Sequence, residues 1–261
     1  MILSHHAAKI LLILFILSFV DAVAVPRPVT AQPEEFSAII RIEQGSNAPM
    51  EMTYWIAADQ FRMDMPEMSI IWAGGAQPRM LMIQHAERRY VEWGAQQLNM
   101  MQQMMGRMGR GGGPGAGAAD PVRGDITFKA TGARETIGAW DAFEVQVQNQ
   151  DGDQGRLWLS EDTEIGLFEI MASVVDMASA MQMPMGMAGQ QRNPQAMLQR
   201  YAEIGKAQGM PEGRAVRIVS TGENQATSTL IGVQVGSVPA DTFTPPADYQ
   251  AMQMPAIPGR R

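Results

Sequence analysis

The chain has 261 residues, 20 basic and 27 acidic side chains for a net charge of -7, 23 methionines and no cysteine. An acidic balance argues against nucleic acid and anionic lipid surfaces as partners, since both are bound through basic patches. Without cysteine there is neither a disulfide framework nor a thiol for lipid attachment, so a protein of this kind in an oxidising compartment must rely on its core.

The first 31 residues read as an export signal. Lys9 closes a weakly basic start, residues 10–20 are an apolar run interrupted only by Ser18, and Val29, Thr30 and Ala31 offer small residues for cleavage before Gln32. Eleven residues fall short of the roughly 20 needed to span a bilayer, so the expectation is a released, periplasmic protein. The remainder, without Lys9, Arg27 and Asp21, carries 18 basic and 26 acidic residues, net -8.

Period-two alternation dominates the next sixty residues. In PMEMTYWIA, Met50, Met52, Tyr54 and Ile56 share one face and Glu51 and Thr53 the other; in QFRMDMP, Phe61, Met63 and Met65 oppose Arg62 and Asp64. Further strands are expected over 35–44, 68–74, 79–84 and 88–93, joined by short polar loops. Six strands connected this tightly make an antiparallel meander.

The period then changes. Leu98, Met101, Met105 and Met108 recur at helical spacing, and the glycine-rich 109–119 follows as a flexible spacer. Strands resume over 125–131, 142–149 and 154–160, the last two joined through Asp151-Gly152, a hairpin signal. A helix over 166–182 places Leu167, Met171, Val174, Ala178 and Met181 on one face, and a second helix is bracketed by Asn193-Pro194 and Gly209. Strands over 214–221 and 225–235 close the domain. The sum is an α+β fold, a curved antiparallel sheet of about eleven strands covered by helices, in a single domain over 32–250 with a disordered tail over 251–261.

This order of elements, with the block IGAWDAFEVQVQNQDGDQGRLWLSED and the closing ADTFTPPADY, resembles the exported bacterial family called domain of unknown function 4412. The matching features are Gly138 and Trp140 before a strand, Arg156 and Trp158 on the strand after the hairpin, and Phe243, Pro246 and Tyr249 in a terminal Phe-x-x-Pro-x-x-Tyr. The resemblance implies the half-barrel of the Lol-type lipoprotein carriers, closed by helices over an apolar cavity. It brings no catalytic residue. This chain departs from the family in the insertion at 109–119 and in its methionine content.

The methionines admit two chemistries. Thioethers favour Cu(I), and the clusters at 100–108 and 181–187 are the candidates for it. Yet the sulfurs follow the period of every element they occupy, as core or cavity lining does and a metal cluster need not. Unbranched, polarizable side chains can re-pack around apolar ligands of different shape. The expected wall of such a cavity is Met52, Tyr54, Phe61, Met63, Trp72 and Met82. Met183, Met185 and Met187, on a stretch broken by Pro184 and Gly186, are expected to form a lid. The alternative is a concave face plugged by its own side chains, which would suit a structural envelope protein.

Catalysis lacks an inventory. Beyond the signal His85 is the sole histidine, a turn residue by position; GRGGGPGAG lacks the Lys-Ser/Thr ending of a phosphate loop; DGDQG lacks a calcium ladder. The expectation is a non-enzymatic, cofactor-free periplasmic protein that holds an apolar small molecule or lipid chain, binds no metal or nucleic acid, and meets an envelope protein transiently.

Overall fold

The computed structural model describes residues 35–100, 126–148, 154–180, 203–221 and 225–252. Twelve strands form one sheet: β1 Phe36–Gln44, β2 Met50–Ala57, β3 Gln60–Asp64, β4 Met68–Ala73, β5 Arg79–Gln84, β6 Arg89–Trp93, β7 Thr127–Ile137, β8 Trp140–Gln148, β9 Gln154–Ser160, β10 Arg214–Thr221, β11 Ala226–Val235 and β12 Gln250–Ala251. Their spatial order is β12-β6-β5-β4-β3-β2-β1-β11-β10-β9-β8-β7. Two antiparallel meanders, β1 to β6 and β7 to β11, are therefore joined where β1 pairs with β11.

The fold class is the α+β half-barrel expected. Among the described residues there are twelve strands, one more than read from the sequence, because β12 runs parallel to β6, pairing Gln250 with Arg89 and Ala251 with Tyr90. Ala251 and Met252, assigned to the tail from sequence, are held to β6, where the Met252 N–H donates to the Tyr90 carbonyl at 2.8 Å. A two-residue strand has no periodicity to read, which is why it was missed.

Each turn has a local cause. Gly138, at φ 59°, opens the two-residue link Gly138-Ala139 that joins Ile137 of β7 to Trp140 of β8. Helix α1, Leu167–Ala180, begins beside β10. A Cβ on Gly166 would lie 2.9 Å from the backbone N and O of Ala215, so a side chain there would push the helix off the sheet. Leu167, Phe168 and Ile170 are buried while Met171 is half-buried, so the stripe expected from spacing is rotated toward Ile170. Residues 203–207 form the end of the second expected helix, closed by Gly209 at φ 73° with the Met210 N–H donating to the Gly205 carbonyl. Its Gln208 amide bridges strand backbone, accepting from the Phe128 N–H at 2.7 Å and donating to the Ile126 carbonyl at 2.8 Å. Residues 1–31, 109–119, 183–187 and the hairpin tip at 149–153 lie outside the described residues, as does most of the helix expected from Leu98 to Met108.

Candidate functional site on the N-terminal strands

Strand alternation sends half of the β1 to β6 side chains to each face, and register then arranges them in rows across the sheet. One row runs Phe36, Ile56, Phe61, Trp72, Met80, Trp93. Its neighbour runs Val233, Ala38, Tyr54, Met63, Ile70, Met82, Val91. A third continues through Leu230, Ile40 and Met52. All six expected wall residues that are described thus stand on one face in three adjacent rows. Met52, Tyr54, Phe61, Met63 and Trp72 are 3% to 6% exposed and belong to the main hydrophobic cluster. Met82 is half-buried, on the side of β6. The lid residues Met183, Met185 and Met187 lie outside the described residues.

The two halves of this face differ in chemistry. Strands β8 to β10 and α1 contribute mainly branched aliphatic side chains, Val145, Val147, Leu157, Leu159, Ile170 and Val216, with Trp140 and Phe168 and no methionine among their described buried residues. Strands β2 to β5 contribute Met52, Met63 and Met80 together with Tyr54, Phe61 and Trp72. Sequence reasoning also counted Trp93 and Trp55 among the aromatic residues of the wall and omitted Ile70 and Met80; Trp93 stands beside Met80, whereas Trp55 packs on the opposite face with the Phe243 cluster. The parity of Ile70 and Met80 was available in the alternation, but the pairing that sets them beside Met82 and Trp72 was not.

Tyr54 is the single ionisable or hydroxyl-bearing side chain in these rows. Its ring lies 6.1 Å from that of Phe61 at a 49° tilt, and its hydroxyl donates to the Met52 Sδ at 3.7 Å. Burial pushes the phenol well above its usual value, so the group is neutral at any physiological pH.

α1 is clamped over the other half of the face. Glu169 Oε2 accepts from the Gly166 N–H at 3.0 Å, the N3-to-N-cap arm of a capping box, while Oε1 pairs with Arg214 on β10. Both side chains are largely buried, at 15% and 13% exposure.

The opposite face of β3 to β5 is covered by the terminal segment carrying Phe243, Pro246 and Tyr249. Phe243 is buried with Ala57, Ile71, Leu81 and Ile83. Arg62 stacks over Trp55, pairs with Asp64 and donates to the Thr242 carbonyl at 2.7 Å. Arg88 pairs with Asp248 and lies over the Tyr249 ring. His85 does more than turn the chain: its Nε2 is 2.7 Å from Ser69 Oγ and its Nδ1 3.1 Å from the Tyr249 hydroxyl. A serine bonded to a histidine invites a nucleophile reading, but Ser69 is fully buried and its histidine is oriented by a phenol rather than a carboxylate. The trio is a tie between sheet and terminal segment. Trp158 is buried, with Arg156 and Arg217 both stacked on its ring, each guanidinium 5.4 Å from its centroid.

Among the described residues no group of three or more His, Cys, Asp or Glu side chains is placed to hold a metal, and no helix is long and apolar enough to cross a membrane.

One apolar face lined by side chains and the other strapped by the terminal segment define an α+β protein of the half-barrel class. The chain belongs to the family described as Domain of unknown function (DUF4412), whose model matches residues 37–249. No curated protein matches the sequence. Solved structures similar to it include MucB, at 12% identity and TM-score 0.34 over 85% of this chain and 61% of that one. The MucA/MucB complex of Pseudomonas aeruginosa matches at 10% and 0.39 over 85% and 59%. A LolA superfamily protein from Nitrosomonas europaea matches at 10% and 0.27 over 88% and 96%. The chain thus spans about three fifths of the MucB chains it matches.

Proposed function

We propose that this is a non-enzymatic periplasmic binding protein that holds an apolar ligand, a lipid or an acylated chain, against the methionine- and aromatic-rich half of its inner face. The observation that supports this reading is the gathering of Met52, Tyr54, Phe61, Met63, Trp72 and Met82 into three adjacent rows, beside a stiffer half clamped by α1. Buried methionines can change rotamer at little cost, so this half accepts a chain by re-packing where the branched half cannot. Met183, Met185 and Met187 serve in this reading as a lid, and an envelope protein is the transient partner that receives or supplies the ligand.

The test is native mass spectrometry of protein purified from a periplasm without detergent, followed by addition of lipid and of Cu(I). Extra mass in the lipid range that survives Met183, Met185 and Met187 replacement by leucine supports the reading. Extra mass in multiples of copper that those replacements abolish replaces it with thioether coordination. A bare polypeptide that takes up neither leaves a structural envelope protein.

A further inference from the structure

We propose that the outer face of β3 to β6 is a peptide-docking groove, which takes the terminal segment of a second copy of this chain in exchange for its own. The proposal is independent of any ligand on the inner face. The terminal segment is attached to the sheet as an added ligand strand is. It leaves β11 at Val235, passes the width of β1 to β6 and joins the free edge of β6 in parallel, a pairing that no tight hairpin can make. Its hold consists of separate points. Phe243, 2% exposed, is buried against Ile71, Leu81 and Ile83. Tyr249 meets His85, and the N–H groups of Gln250 and Met252 donate to the Arg88 and Tyr90 carbonyls at 2.9 and 2.8 Å. Charge is complementary as well. Residues 238–252 carry Asp241 and Asp248 and no basic side chain, and the groove meets them with Arg62, which donates to the Thr242 carbonyl, and Arg88, which pairs with Asp248.

The link between this segment and its own sheet is short and exposed. Gly236, at φ 133°, opens it, Ser237 and Pro239 are exposed, and Pro239 is extended at φ -56° and ψ 135°. Two bonds to Glu35 fix the link, from the Gly236 N–H to its carbonyl at 3.1 Å and from the Val238 N–H to its Oε2 at 2.8 Å. The anchors at Phe243, Tyr249 and β12 do not depend on the link, so the segment of a second copy makes the same contacts. The resident segment is then favoured only by its local concentration, which is the condition for exchange between copies. An empty groove would set the fully buried Ile71 and Ile83 and the edge of β6 in water, which drives refilling from whichever copy supplies the segment.

The experiment is fluorescence anisotropy of a dye-labelled peptide spanning residues 238–252, titrated with full-length protein. In wild type the resident segment covers the groove, and the apparent affinity is lowered in proportion to the fraction of open molecules. Phe243→Ala removes the resident anchor and leaves the groove intact, so it should bind the peptide at least about tenfold more tightly than wild type. Tyr249→Phe, which loses only the bond to His85, should show a smaller gain and supplies the readout should Phe243→Ala fold poorly. A peptide with alanine in place of Phe243 should bind none of the three. Deleting Ser237 and Val238 removes about 7 Å of extended chain, too much for the segment to reach its own groove, and should double the wild-type mass in sedimentation. Equal peptide binding by wild type and both variants would overturn the groove. A deletion protein of unchanged mass, with residues 239–252 open to protease, would overturn the exchange. An equal gain in Gly166→Ala, a change at the start of α1, would assign the effect to general loosening and overturn both.

Discussion

The clamp between α1 and β10 allows a quantitative test of what holds the helix over the sheet. Glu169 offers two acceptor oxygens and uses both, Oε1 for Arg214 and Oε2 for the Gly166 N–H. Glu169→Gln keeps the shape but leaves one acceptor for two donors, so either the cap or the guanidinium faces an amide NH2. With the side chains 15% and 13% exposed, solvent relieves little of this, and among the described residues Arg214 Nε has no hydrogen-bond partner. Breaking one side of a buried pair costs about 3–5 kcal/mol in full burial, and this slightly exposed pair should lose about 2–4 kcal/mol. Arg214→Met should cost less, about 1–2 kcal/mol, because the remaining carboxylate still caps a helix N-terminus. In the double variant the glutamine oxygen is free to serve Gly166, so its cost should lie near that of Arg214→Met alone. Urea unfolding with a constant m value measures all three. Additivity of the two single changes within about 0.5 kcal/mol would refute the shared-acceptor reasoning.

Gly166→Ala should destabilise by about 1–3 kcal/mol through overpacking against Ala215, read as a lower urea midpoint; no change would mean that the helix start is not seated as described. His85→Ala leaves the buried Ser69 hydroxyl without its partner and frees Tyr249, which should cost about 1–3 kcal/mol and speed limited proteolysis within residues 238–252. Burial raises the Tyr54 pKa, so the folded state keeps a proton that the unfolded chain releases near pH 10. Its stabilising contribution is whole below that pH and declines above it, and urea midpoints between pH 8 and 11 should fall more steeply in wild type than in Tyr54→Phe.

Alternation was enough to read β1 to β6 almost residue by residue, because a strand with one dry face must repeat every two positions and these strands are short, adjacent and cleanly punctuated. It also placed Met52, Tyr54, Phe61 and Met63 on the buried side of their own strands. Helix punctuation located Gly209, and the period of the methionines indicated that the sulfurs of β2, β3 and β5 belong to an apolar surface.

Alternation carries no information about partners between strands, and that is where the tertiary structure decided matters. The pairing of β1 with β11 joins two meanders that are distant in sequence, and only register sets Met63 beside Tyr54 and Met82 beside Ile70. The Glu169 to Arg214 clamp and the His85 tie to Tyr249 span 45 and 164 residues, far beyond any local pattern. β12 is two residues long and exists because β6 offers an unpaired edge. Side-chain period follows from backbone geometry and is written locally, whereas the choice of which rows meet depends on closing long loops and burying two faces at once, a property of the whole chain.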